Sequence, residues 1–104
     1  MDIKNKNQIK SVKYKVEKYY IYGIYDNNNL VYIGFTKDVD KRAKEHLRTT
    51  NKKIRDLAFR CSYELDVRII SMFYDKDLAL EYEAILINRY KNDLFNKKDE
   101  KHRL

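Results

Sequence analysis

The stretch YYIYGIYDNNNLVYIGF, residues 19–35, constrains the fold more than any other part of the chain. Two runs rich in β-branched and aromatic residues, 19–25 and 30–35, flank the tetrapeptide Asp26-Asn27-Asn28-Asn29. Such runs favour strands, and Asn and Asp tolerate left-handed backbone and bond their own main chain. The segment therefore predicts a β-hairpin. Side chains alternate faces along a strand, so the register decides which tyrosines share a face. A loop over 26–28, with Asn28 left-handed, sets Tyr22 opposite Tyr32. Tyr20, Tyr22, Ile24, Leu30, Tyr32 and Gly34 then share one face, and Ile21, Gly23, Tyr25, Val31, Ile33 and Phe35 form a core face. A four-residue loop over 26–29 instead makes Tyr25 a diagonal neighbour of Tyr32 and sets Gly23 across from it. The apolar pattern suits both registers, and strand tyrosines commonly do no more than pack with their hydroxyls in water.

After the hairpin, Asp38 is placed to cap a helix running to about residue 48, with Val39, Ala43 and Leu47 as its apolar stripe. A second helix is expected over 52–60 with Ile54, Leu57 and Ala58 inward. Alternation through Leu65, Val67 and Ile69 predicts a third strand over 63–73, and Asp75 or Asp77 caps a last helix to about residue 90. The expected architecture is α+β, a small three-stranded antiparallel sheet flanked by helices. With 104 residues there is room for one core. Residues 1–17 read as a basic N-terminal arm with a short strand or helical turn around 12–16. Residues 18–96 read as the domain and 97–104 as a charged tail.

Lys and Arg number 23 against 16 Asp and Glu, a formal net charge of +7 that favours a polyanionic partner, nucleic acid first. The basic residues are spread along the chain, so the fold must gather them. A single cysteine, Cys61, excludes an internal disulfide and a cysteine-rich zinc site. The opening MDIKNKNQIK lacks the apolar centre of a signal peptide, and no apolar run approaches the roughly 20 residues that span a bilayer. A soluble, cytoplasmic protein with no membrane partner is expected.

Two helices carry residues that packing does not explain. Arg42 and His46 are four apart, stacked on one helical face at the border of the apolar stripe, while Lys41, Lys44 and Arg48 point elsewhere. In DLALEYEAILINRY the inward stripe runs through Ala79, Tyr82, Leu86, Ile87 and Tyr90, and Glu83 falls inside it, whereas Glu81 is expected to be exposed. A carboxylate on a core-facing stripe is costly unless something pairs with it. A salt bridge, to Arg89 or an arginine elsewhere, answers that need. So does a divalent ion such as Mg²⁺, which accepts one carboxylate while keeping most of its water.

The order Tyr-x9-Tyr-x-Gly, then Arg and His four apart on the next helix, then Glu on a late helix, resembles the GIY-YIG nuclease family over roughly residues 19–90. Tyr22 and Tyr32 are ten positions apart, the separation usual in that family, whereas Tyr25 and Tyr32 are seven apart. The literal Gly23-Ile24-Tyr25 is thus a coincidental spelling, and Tyr22 is the matching tyrosine. The resemblance implies that Tyr22 activates the attacking water and that Tyr32 positions that water or bonds the scissile phosphate. It implies further that Arg42 contacts phosphate, His46 assists proton transfer and Glu83 ligates Mg²⁺ (or Mn²⁺). Asn96 corresponds to a late asparagine of many members, without the proline that usually precedes it. The implied activity is a metal-dependent DNA endonuclease with little sequence specificity of its own, on single-stranded, branched or duplex DNA. Sequence readout would need a protein partner or the N-terminal arm. The contrasting expectation is a non-catalytic nucleic-acid-binding module, or a subunit that recruits a partner.

Overall fold

The computed structural model describes residues 11–96; the first ten residues of the expected arm and the expected charged tail lie outside the described residues. The hairpin strands are β1 (Tyr19–Asp26) and β2 (Asn29–Thr36). Helices α1 (Val39–His46) and α2 (Lys52–Arg60) follow, then β3 (Asp66–Phe73) and α3 (Lys76–Tyr90). The sheet is antiparallel with order β2-β1-β3, so β1 is central and β2 lies at an edge. This is the α+β arrangement anticipated from the sequence. Residues 11–18 form neither strand nor helical turn, contrary to the expectation for 12–16, and Val12, Tyr14 and Val16 are exposed.

Neither expected register occurs. Asn27 and Asn28 alone make the turn, with φ of 50° and 67°. Two successive left-handed residues match the twist of a hairpin, and asparagine is among the few residues that supply them cheaply. Tyr25 then faces Leu30 while Ile24 faces Tyr32, so Val31 is an extra residue bulged out of the ladder. Tyr22 consequently lies opposite Gly34, and Gly23 opposite Ile33. The bulge also exchanges two faces relative to the sequence reading. Val31 joins Tyr22, Ile24 and Tyr32 in one core cluster, and Leu30 packs with Ile21, Ile33 and Phe35 in the other. A second bulge, at Ile70 of β3, flanks Tyr22 from the other side.

Both faces of the β1–β2 hairpin are buried, while β3 has no fully buried residue. Ile54 and Leu57 of α2 close over the Tyr22 cluster, and Ala79 and Leu86 of α3 close over Ile21, Ile33 and Phe35. Ile21, Ile24, Ile33 and Ile54 are each 0% exposed, a burial worth about 2–3 kcal/mol per side chain before cavity terms. The tyrosine face, which the sequence reading left outside the core, is as much core as the other.

Local chemistry sets the helix ends. Asp38 caps α1 by accepting the Lys41 N–H at 3.0 Å. The helix stops at His46, where tight bonds from Leu47 to Lys44 and from Arg48 to Glu45 replace α-helical ones. Asn51 caps α2 and Asp75, rather than Asp77, caps α3. Strand β3 begins at Asp66 rather than 63 because Ser62 and Tyr63 are left-handed, closing the end of α2 through Tyr63 N–H to the Ala58 carbonyl at 2.6 Å. Cys61 is a free, half-buried thiol whose S–H points at the Ala58 carbonyl.

The free edge of β2 is covered by the end of the described chain. Phe95 N–H donates to the Val31 carbonyl. The Asn96 side chain both accepts from Ile33 N–H at 3.1 Å and donates to the Ile33 carbonyl at 2.8 Å. Asn51 ties this segment to α2 by donating from its amide to the Phe95 carbonyl at 2.8 Å. An edge strand presents main-chain groups that must be paired or hydrated, and here one side chain pairs a whole peptide position. Asn96→Ala is expected to cost about 1–3 kcal/mol, the range for leaving partly buried polar groups unpaired, read as a lower midpoint in urea denaturation with an unchanged slope.

Candidate active site

Tyr22 springs from the central strand and its ring runs sideways over Gly34 of β2. A Cβ built on Gly34 would lie inside the van der Waals envelope of the ring, against Cε1, Cζ and Oη together. Glycine at 34 is therefore what lets the phenol lie flat over the edge strand. Tyr32, two residues before, stacks beside it with ring centroids 6.2 Å apart and planes 29° from parallel.

Helix α1 brings the third ring. His46 is the one buried residue of that helix, at 6% exposure. Its ring meets Tyr32 edge-on at 4.8 Å and Tyr22 at 5.7 Å between centroids. The Tyr22 hydroxyl and His46 Nε2 are hydrogen-bonded at 2.7 Å, in a buried setting. A neutral imidazole accepts the phenol proton, and an imidazolium would donate to a phenolate. The contact is thus a ready path for one proton between two titratable groups. With Tyr22 at 2% and Tyr32 at 6% exposure, the rings are held by packing on all sides.

Arg42 lies one turn before His46 on α1 and is half-buried, with Nε 3.5 Å from Glu45 Oε1. Glu83 is 2% exposed on the sheet-facing stripe of α3, between Ala79 and Leu86, and Glu81 is exposed as expected. Helix α3 packs across β2, β1 and β3. Tyr90, expected to face inward, is 39% exposed because it falls at the last residue of the helix. The structure thus joins Tyr22, Tyr32 and His46 in direct contact and sets Arg42 on the same helix as His46. It buries Glu83 on the helix that covers the other face of the sheet.

Tyr25 is engaged elsewhere. It lies on the opposite face from Tyr22, with the Arg68 guanidinium 4.2 Å over its ring. Arg68 is also bonded to Asp66 and to the Asn28 side chain. Hydrogen bonding from Arg68 holds the exposed Asp66 carboxyl below its ordinary range. The literal Gly-Ile-Tyr spelling therefore ends in a turn-bracing tyrosine.

A profile of the GIY-YIG catalytic domain matches residues 18–99. The chain belongs to the GIY-YIG family. Members are nucleases, phosphodiesterases that act on nucleic acid and in general use divalent metal ions. No curated protein and no solved structure shows significant similarity to this chain. No helix among the described residues is long and apolar enough to cross a membrane. Sequence reasoning missed the work of three residues in this GIY-YIG domain. Gly34 seats the Tyr22 ring, and Asn51 and Asn96 fix the strand that bears Tyr32. For the two asparagines no local signal existed, since their partners lie 44 and 63 residues away.

Gly34→Ala is expected to displace the Tyr22 ring and weaken its bond to His46, costing about 1–3 kcal/mol as an overpacked core substitution does. Thermal denaturation of the variant beside wild type checks this.

Proposed function

We propose that this GIY-YIG domain is a metal-dependent DNA endonuclease in which Tyr22, backed by His46, activates the attacking water. The observation that supports it best is the 2.7 Å hydrogen bond between the Tyr22 hydroxyl and His46 Nε2. A tyrosine with its free pKa near 10 is a poor base at neutral pH. An imidazole in direct contact changes that, because it can take the phenol proton as the phenol takes one from water. The proton then moves from water to Tyr22 and from Tyr22 to His46, while the water oxygen bonds to phosphorus and the leaving oxygen departs. With its ring buried, Tyr22 takes part through its hydroxyl end alone, which fixes the direction of attack.

In this reading Tyr32, stacked on Tyr22, helps place the water or bonds the phosphate, and Arg42 pairs with a non-bridging phosphate oxygen. Glu83 is the carboxylate that would hold the metal. Among the described residues no cluster of three or more His, Cys, Asp or Glu could hold an ion. A single buried carboxylate fits a hard cation that retains most of its water, Mg²⁺ or Mn²⁺. Such an ion supplies charge compensation for phosphate and leaving oxygen.

The basic helices supply the remaining affinity. Lys41, Lys44 and Arg48 at α1, and Lys52, Lys53 and Arg55 on α2, are all exposed beside the elements that build the tyrosine cluster. Phosphate contacts of this kind are independent of sequence and sensitive to salt, which accords with little intrinsic sequence specificity. A protein partner would then choose the target, in the cytoplasm.

Incubation of labelled single-stranded, duplex and flapped DNA with Mg²⁺ or EDTA is the test. Wild type should cleave with Mg²⁺ and bind without cleaving in EDTA, and Glu83→Ala should bind without cleaving under both conditions. Tyr22→Phe should lose at least about 100-fold in cleavage rate, the scale of an acid–base group, while Tyr25→Phe keeps most activity. Binding by wild type with every metal tried, and cleavage with none, would favour a recognition module instead.

A further inference from the structure

On the sheet face that carries Tyr22, helix α2 leaves one region uncovered. A groove of about 500 Å³ opens there, between the first turn of α1 and strands β1 and β3. Its floor is Tyr20, Val67 and Ile69, and Val39 closes one side. Ile69 lies directly beside Tyr22 in the β1–β3 register, so the floor continues the tyrosine cluster. Yet Ile69 is 55% exposed, a large apolar side chain bare at the border of the site.

The rim decides what such a floor can accept. Lys37 stands at the rim together with Asp38 and Asp40. Asp38 already occupies the α1 N-terminus, taking the Lys41 N–H that an anion would otherwise use. Two carboxylates repel a phosphate placed in the groove, but they can accept hydrogen bonds from a neutral group. Lys37 Nζ is 3.9 Å from Glu17 Oε1, a loose surface pair that leaves the ammonium able to swing toward a backbone phosphate. A flat, uncharged, amine-bearing ring attached to a phosphate satisfies the floor, the carboxylates and the lysine together.

We propose that this groove is a nucleobase subsite, in which one base of the substrate, out of any stack, lies on Tyr20, Val67 and Ile69. Its adjoining phosphate would then fall toward the Tyr22–His46 pair, a placement that rests on the nuclease reading. The subsite itself requires only nucleic-acid binding. Bases inside a duplex cannot reach the groove without unstacking, so a strand with an unpaired base is the favoured ligand.

The test uses a single-stranded oligonucleotide with one internal 2-aminopurine, whose emission reports stacking, titrated with the full chain in EDTA. DNA and RNA versions of the same sequence run in parallel, and fluorescence anisotropy of an end label reports overall binding. Emission should change with saturation in at least one of the two strands and should change much less when the same base is paired in a duplex. Ile69→Asn should weaken binding of the single strand about 10-fold, the scale of one lost base contact, while Ile85→Asn on exposed α3 surface should match wild type. Binding by anisotropy with no emission change, an Ile69→Asn variant equal to wild type, or no binding at all would overturn the subsite. Cleavage with Mg²⁺ is scored separately. Loss of cleavage with an intact emission change refutes the nuclease reading and leaves the subsite standing, and cleavage with no emission change does the reverse.

Discussion

The buried hydrogen bond between the Tyr22 phenol and His46 is the contact on which the rest of the domain is arranged. It needs a tyrosine on the central strand, a residue without a side chain opposite it, and a histidine delivered at the right height by the next helix. Gly34 meets the second condition by giving its Cβ volume to the ring. Helix α1 meets the third because the Asp38 cap starts it where His46, two turns on, comes to rest against both tyrosine rings. Polar atoms buried this way stabilise a fold only when paired. The same contact therefore serves packing, register and, in the proposed function, chemistry.

That geometry depends on an edge strand staying where it is. Edge strands slip and exchange unless something blocks them. Here Phe95 and Asn96 occupy the outward main-chain groups of Val31 and Ile33, on either side of Tyr32. Asn51 joins the same clamp to the cap of α2, whose Ile54 and Leu57 press on the tyrosine cluster. Two segments far apart in sequence thus hold one strand, and a loss at either reaches the site through the position of β2.

Much of this was legible in the residues, for reasons that differ from element to element. Strand composition and helical periodicity are local, so the three strands and three helices were readable, with Asp38 and Asp75 capping as the sequence allowed. The shared face of Tyr22, Ile24, Tyr32 and Gly34 was one of two readings the apolar pattern allowed, and the ten-residue spacing of Tyr22 and Tyr32 favoured it. The register was not. Four consecutive polar residues permit several loops, and the outcome rests on a two-residue turn plus a bulge at Val31 that only the packing of Leu30 and Val31 into different clusters decides. The burial of Glu83 followed from its place on the α3 stripe. The Asn96 clamp and the seat at Gly34 did not, since each is defined by a partner that no local pattern reveals.

The central claim is that Tyr22 and His46 act as one unit, and a double-mutant cycle on the cleavage rate addresses it most directly. Single-turnover rates would be compared for wild type, Tyr22→Phe, His46→Ala and the double variant under saturating protein. Groups that pass one proton between them lose their function together, so the double variant should be about as slow as the slower single variant. Penalties that multiply, as they do for independent sites, would contradict it.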